Sequence, residues 1–152
     1  VYSSPLERCW ETAEIVAARH RQMRVREATG LLEVDYGRWA NRTFPAVRRT
    51  ALWRTVQRWP SAAEFPDGES IRRVQVRAVE EIESLRSKHP RERICCVSHA
   101  DVIKLVVAHY LGVHVDLFQR IVVEPGSLSV LGIGEEGPAL LALNTFGRIG
   151  RE

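Results

Sequence analysis

Three side chains stand where their chemistry suits an anionic ligand. Arg8 falls in the first turn of a helix that follows a strand. The free N–H groups and the dipole of a helix start favour an anion there, and a guanidinium adds a planar fork matched to phosphate oxygens. A solvated surface arginine is the plain alternative. His99 closes the apolar run Ile94-Cys95-Cys96-Val97 just before a second helix start. A residue at such a junction points into the crevice where α/β sheets bind ligands, unless it is a turn histidine satisfied by backbone hydrogen bonds. Glu33 is flanked by Leu31, Leu32 and Val34. A carboxyl partly desolvated by such neighbours has a raised pKa and can serve as a general acid, whereas an exposed loop glutamate has neither property. His20, His89, His109 and His114 lack this placement and read as helix-end or surface residues. Among the tryptophans, Trp39 is placed to line a pocket and the others read as packing.

The elements that must carry these residues follow from pattern and punctuation. Val1-Tyr2 reads as the tail of a strand. Ser4-Pro5-Leu6-Glu7 then reads as a capping box with proline at the first helical position, opening a helix that ends near His20. A short strand is expected at residues 23–26, and a loop holding Glu33, Gly37 and Trp39 at residues 30–42. One helix is expected over residues 44–58 with Thr43 as its cap, followed by a loop with two prolines over residues 59–68. Val74, Ala78, Ile82 and Leu85 recur at helical spacing and mark a long amphipathic helix, with Ser70 near its start as a cap or first-turn residue. The run of residues 94–97 is fully apolar, as in a strand buried on both faces. From Asp101 a helix follows, with Ile103, Val106, Val107, Tyr110 and Leu111 on its apolar side and Gly112 as its stop. Residues 127–133 and 139–144 alternate around Gly134-Glu135-Glu136-Gly137 and read as two strands joined by a turn, before a loose tail. Strand, turn and helix in this order imply an α/β fold in one domain spanning residues 1–152.

Composition narrows the classes. The chain of 152 residues is 45% hydrophobic and 27% charged, enough to bury a core and stay soluble. The net charge is only +3 and the arginines are scattered, so the basic stripe of a nucleic-acid binder is missing. No apolar run approaches a membrane span, and no signal peptide is visible. Cys9, Cys95 and Cys96 make neither a disulfide framework nor a metal spacing, and read as reduced thiols of a cytoplasmic protein. Neither a metal nor an organic cofactor is expected.

In order along the chain, four segments resemble the motifs of the histidine phosphatase superfamily, the phosphoglycerate mutase-like proteins. SSPLERCWETA resembles its Ser-Ser-Pro-Leu, Arg, Thr-Ala motif, and LLEVDYGRW its Leu-x-Glu segment with Gly and Trp. FPDGES resembles its Pro-x-Gly-Glu-Ser step into a long helix, and VSHADVIKLVVAHYLG its second-histidine motif. PGSLSVL is similar to the strand that follows. The resemblance implies a three-layer sandwich around a mostly parallel sheet. It implies covalent catalysis, in which a histidine of an Arg-His-Gly motif attacks phosphorus. Arg8 would bind the phosphoryl group, Glu33 would protonate the leaving group, and a protonated His99 would donate to the equatorial oxygens, with Trp39 and Ala100 as further substrate-binding positions. The chain contains no Arg-His-Gly. By the resemblance, that motif sits on a first strand that would precede Val1 together with a helix, on the order of 40–60 residues. Ala100-Asp101 stands where two glycines are common in the family, and Lys104 where arginine is common. The implied activity is hydrolysis of a small phosphorylated metabolite, with inorganic phosphate as the other expected ligand. Mutase-type phosphoryl transfer is the alternative, which the short stretch between Gly37 and Ser70 disfavours. A non-catalytic phosphate-binding or scaffold fragment is the alternative of another class. A homo-oligomer is compatible with the sequence.

Overall fold

The computed structural model describes residues 1–20 and 23–147. Strand β1 (Tyr2–Ser3) leads into α1 (Glu7–Ala18), and β2 (Arg26–Glu27) into short 3₁₀ turns at Thr29–Leu31 and Gly37–Trp39. Helices α2 (Phe44–Arg48) and α3 (Ala51–Arg58) precede a third turn at Pro60–Ala62 and the long α4 (Ile71–Lys88). Strand β3 (Cys96–Val97), α5 (Ala100–Tyr110), a turn at Val115–Arg120, and strands β4 (Leu128–Gly134) and β5 (Gly137–Thr145) complete the order.

The first three strands form a parallel sheet in the order β2-β1-β3, with Tyr2 opposite Arg26 and Cys96, and Ser3 opposite Glu27 and Val97. This parallel sheet with packed helices is the α/β architecture expected. Strands β4 and β5 pair antiparallel as a separate hairpin. Helix α1 packs on β1 and β3 through its buried Cys9, Ala13 and Ala17. Helix α4 joins two apolar clusters because its buried positions recur at helical spacing. Its Leu85 meets Tyr2, Ala28 and Leu31, and its Ile71, Val74 and Ala78 meet Phe65, Val102, Leu105 and Phe118.

Local expectations differ from the structure where polar side chains found other partners. Helix α1 has Leu6 as its N-cap, with no side-chain cap; the Ser4 hydroxyl accepts from the Leu6 N–H at 3.4 Å and also faces the candidate site described below. It ends at Ala18, short of His20. The single helix expected over residues 44–58 is two, because Thr50 adopts extended backbone and its Oγ1 accepts from the Trp53 N–H at 3.1 Å. A threonine gains more as an N-cap than inside a helix, so α3 starts afresh there. Ser70 caps α4 by accepting from the Arg73 N–H at 3.2 Å. Strand β2 lies later than the strand expected at residues 23–26. Strand β3 is only half-buried, not buried on both faces, because β1 flanks one edge and no described strand flanks the other. The expected loose tail falls largely on residues 148–152, outside the described residues. Among the described residues, no helix is long and apolar enough to cross a membrane.

Candidate active site

Residues 8, 33 and 99 are far apart in sequence and meet at the carboxyl ends of β1 and β3. Strand β1 runs through Ser4 into α1, which carries Arg8 in its first turn. Strand β3 runs through Ser98 into His99, the N-cap of α5. Arg8 Nη2 lies 2.9 Å from His99 Nδ1. Glu33 Oε2 lies 3.6 Å from Arg8 Nη2 and 3.5 Å from His99 Nδ1. Ala100 opens α5, so its N–H belongs to the unpaired first turn that faces an anion.

The protonation of His99 follows from its neighbours. A guanidinium can only donate, so Nδ1 accepts from Arg8 and Nε2 carries the proton. That N–H donates to Ser4 Oγ at 2.9 Å. The ring is 5% exposed. Burial, and then the cations Arg8 and Arg77, push its pKa down to about 4. Above that pH the imidazole is neutral in the unliganded site. A neutral ring still holds one N–H to donate, here taken by Ser4. The Cys9 thiol sits 3.5 Å from His99 Nε2 and is held protonated by burial.

Glu33 matches the environment of a general acid. Burial raises its carboxyl above the usual carboxylate range, and the nearby Asp101 carboxylate adds to this. The Val34 N–H, donating to Oε1 at 3.1 Å, holds the rise back. Tyr36 donates to Asp101 Oδ2 at 3.5 Å. Its hydroxyl is kept protonated by burial and by the Glu33 and Asp101 charges.

A loop carries Glu33, and a single side chain of α4 fixes that loop. Arg77 donates to the carbonyls of Gly30 (2.8 Å), Leu32 (2.9 Å) and Glu33 (3.0 Å). It also forms a two-pronged pair with Glu69, both contacts at 2.8 Å. Glu69 in turn accepts from the Asp35 N–H at 3.1 Å. The loop of Gly37 docks on the loop of Gly68 backbone to backbone. Gly37 has φ +48°, and a Cβ on either glycine would overlap backbone atoms of the other loop.

Trp39 lies apart from the charged cluster. It lines an adjoining pocket together with Tyr36 and Asp101. Ser4 and Arg77 escape the sequence reading. Ser4 satisfies every local sign of a helix cap, and Arg77 sits on the polar face of an amphipathic pattern. In neither case does local spacing register a partner 95 or 44–47 residues away.

Comparison with known proteins settles the family. The model of the histidine phosphatase superfamily (branch 1) matches residues 1–145. The chain belongs to this superfamily. It is 28% identical over 153 residues to phosphoserine phosphatase 1 of Hydrogenobacter thermophilus, covering 99% of this chain and 72% of that protein. Among solved structures it is similar to Bacillus stearothermophilus YhfR (TM-score 0.89, 23% identity, 96% of this chain and 73% of that one). It is also similar to a mycobacterial glucosyl-3-phosphoglycerate phosphatase in complex with inorganic phosphate (TM-score 0.83, 23% identity, 95% and 76%). In this superfamily member the segments of His99 and Glu33 lie side by side, with His99 Nδ1 3.5 Å from Glu33 Oε2.

Proposed function

We propose that the protein is a phosphomonoesterase acting on a small phosphorylated metabolite through a phosphohistidine intermediate. The observation that carries this reading is the meeting of Arg8, Glu33 and His99 at the strand ends. Arg8 and the first-turn N–H groups of α5 hold the phosphoryl oxygens. The His99 N–H turns from Ser4 to a third oxygen when phosphate arrives. Glu33, whose carboxyl is raised above the usual range by its partly dry site, acts as the acid: it gives a proton to the leaving alkoxide and then takes one from the attacking water. Electrostatic clamping of this kind needs no metal.

The nucleophile in this reading is a histidine of an Arg-His-Gly strand seated between β3 and β4. A groove of about 1150 Å³ lies there, lined by Ile94 on one side and by Val130 to Gly134 on the other. Neighbouring strands lie ~4.8 Å apart, and in this reading the added strand runs parallel to β3. It would join the three-stranded sheet to the β4-β5 hairpin.

The test is a series of leaving groups on the protein carrying such a strand. Glu33→Gln should slow alkyl phosphates by on the order of 10²–10⁴, and aryl phosphates much less, because a phenolate leaves without a proton. Equal losses on both series would remove Glu33 from the acid role.

A further inference from the structure

Beside the phosphate-binding cluster lies a second cavity, of about 390 Å³. Five aromatic side chains that line it form an unbroken chain of ring contacts. Tyr36 meets Phe65 at 5.1 Å between centroids, Phe65 meets Trp39 at 5.2 Å, Trp39 meets Trp53 at 6.4 Å and Trp53 meets Phe44 at 5.2 Å. The chain starts at the charged site, since the Tyr36 hydroxyl donates to Asp101, two residues after His99. It ends in solvent at Phe44, which is 58% exposed. Arg42 is the one cation in this lining and Asp101 the one carboxylate. Asp101 already holds Lys104 at 3.1 Å as well as Tyr36.

We infer that this cavity takes the organic part of the substrate, and that this part is a flat, apolar or aromatic group, not a small zwitterion. The inference deepens the proposed phosphomonoesterase reading and rests on it for the position of the phosphate. Rings left partly in water at the mouth of a cavity gain from being covered by another apolar surface, and the volume suits a ligand of one or two fused rings. A carboxylate and an ammonium together would instead need a free cation and a free anion. The only anion of this lining is already engaged twice.

The measurement is calorimetric titration of the 152-residue protein with 1-naphthyl phosphate, inorganic phosphate, O-phosphoserine and 1-naphthol. 1-Naphthyl phosphate should bind about tenfold tighter than inorganic phosphate, from the apolar area it buries, and phosphoserine no tighter than inorganic phosphate. Phe44→Ala, at a largely exposed position, should shrink the naphthyl advantage to about threefold or less and leave inorganic phosphate binding unchanged; Trp53→Leu should act the same way. Naphthyl phosphate binding within about twofold of inorganic phosphate, or phosphoserine binding more tightly than naphthyl phosphate, would overturn the inference. Naphthol binding that Phe44→Ala weakens, with no phosphate binding at all, supports the cavity while sinking the phosphate site. Phosphate binding lost in Arg8→Ala, without any naphthol binding, does the reverse.

Discussion

His99 is buried and held by both Arg8 and Ser4, and its titration reports the state of the site. Its pKa lies near 4 in the folded protein against ~6.5 in an unfolded chain. Between those values the unfolded chain binds more protons, so stability rises with pH across that window. The contribution is full above about pH 6.5 and is lost as pH falls toward 4. NMR titration of the imidazole should therefore show a neutral Nε2–H ring at pH 6. Saturating inorganic phosphate should move the midpoint upward, because a dianion favours the charged ring. A midpoint near 6.5 that phosphate leaves unmoved would contradict both the burial and the ligand. Glu33 carries the opposite shift. In the proposed mechanism its acid form is the active one, so turnover should fall as pH rises through its elevated pKa, and Glu33→Gln should abolish that limb of the profile. Arg8 is largely exposed, and its long contact with Glu33 adds little stability. Arg8→Ala should weaken phosphate binding by about ten- to a hundredfold, the worth of one charged hydrogen-bonding partner, with the melting temperature nearly unchanged.

The loops and helices that position these groups divide into those a sequence announces and those it hides. The strand-turn-helix around His99 is legible because an apolar run, a polar break and a helical repeat follow one another, although the face actually buried is Val102, Leu105, Val106, Val107 and Ala108, and Leu111, expected on the apolar side, is exposed. Helix α4 is legible for the same reason. Glu33 and Arg8 are readable as candidates, but their meeting with His99 is not, because convergence is set by the sheet order and not by local spacing. The break at Thr50 is hidden because the apolar periodicity runs on through it, and only the cap geometry ends α2. The Arg77–Glu69 pair is hidden because both residues read as ordinary polar-face charges. Yet that pair holds three carbonyls of the Glu33 loop. Arg77→Met should cost about 2 kcal/mol in denaturant unfolding, less than the 3–5 typical of breaking a fully buried pair, because about a quarter of its side chain is exposed. It should also lower kcat more than it raises KM, since it moves the acid and not the phosphate clamp. Arg77→Lys should not rescue it, because an ammonium cannot reproduce the two-pronged fork. A variant as stable and as active as the parent would show that the loop holds itself.

The three-stranded sheet and the β4-β5 hairpin leave a wide groove between them, with half-buried Ile94 on one wall and Val130 to Gly134 on the other. An uncovered strand edge beside apolar surface is a template for pairing with another chain. The 152-residue protein should therefore self-associate, and should bind a dye that lights up on exposed apolar surface. Addition of a strand that fills the groove should suppress both effects. A monomer with cooperative unfolding and no dye binding would argue that the groove needs no strand. The same groove bears on catalysis, because holding an anion equally in ground and transition states does not lower the barrier. Loss of a nucleophile that works as a unit with its neighbours costs many orders of magnitude, ~10⁶ where a catalytic triad was dismantled. The most direct test is to extend the protein with an Arg-His-Gly strand, react it briefly with an aryl phosphate, quench in base and locate the phosphoryl group by mass spectrometry. The label should sit on the added histidine, with slow release in the Glu33→Gln variant and no label on the 152-residue protein. Label on His99, or robust turnover by the 152-residue protein that His99→Ala abolishes, would make His99 the nucleophile and contradict the mechanism.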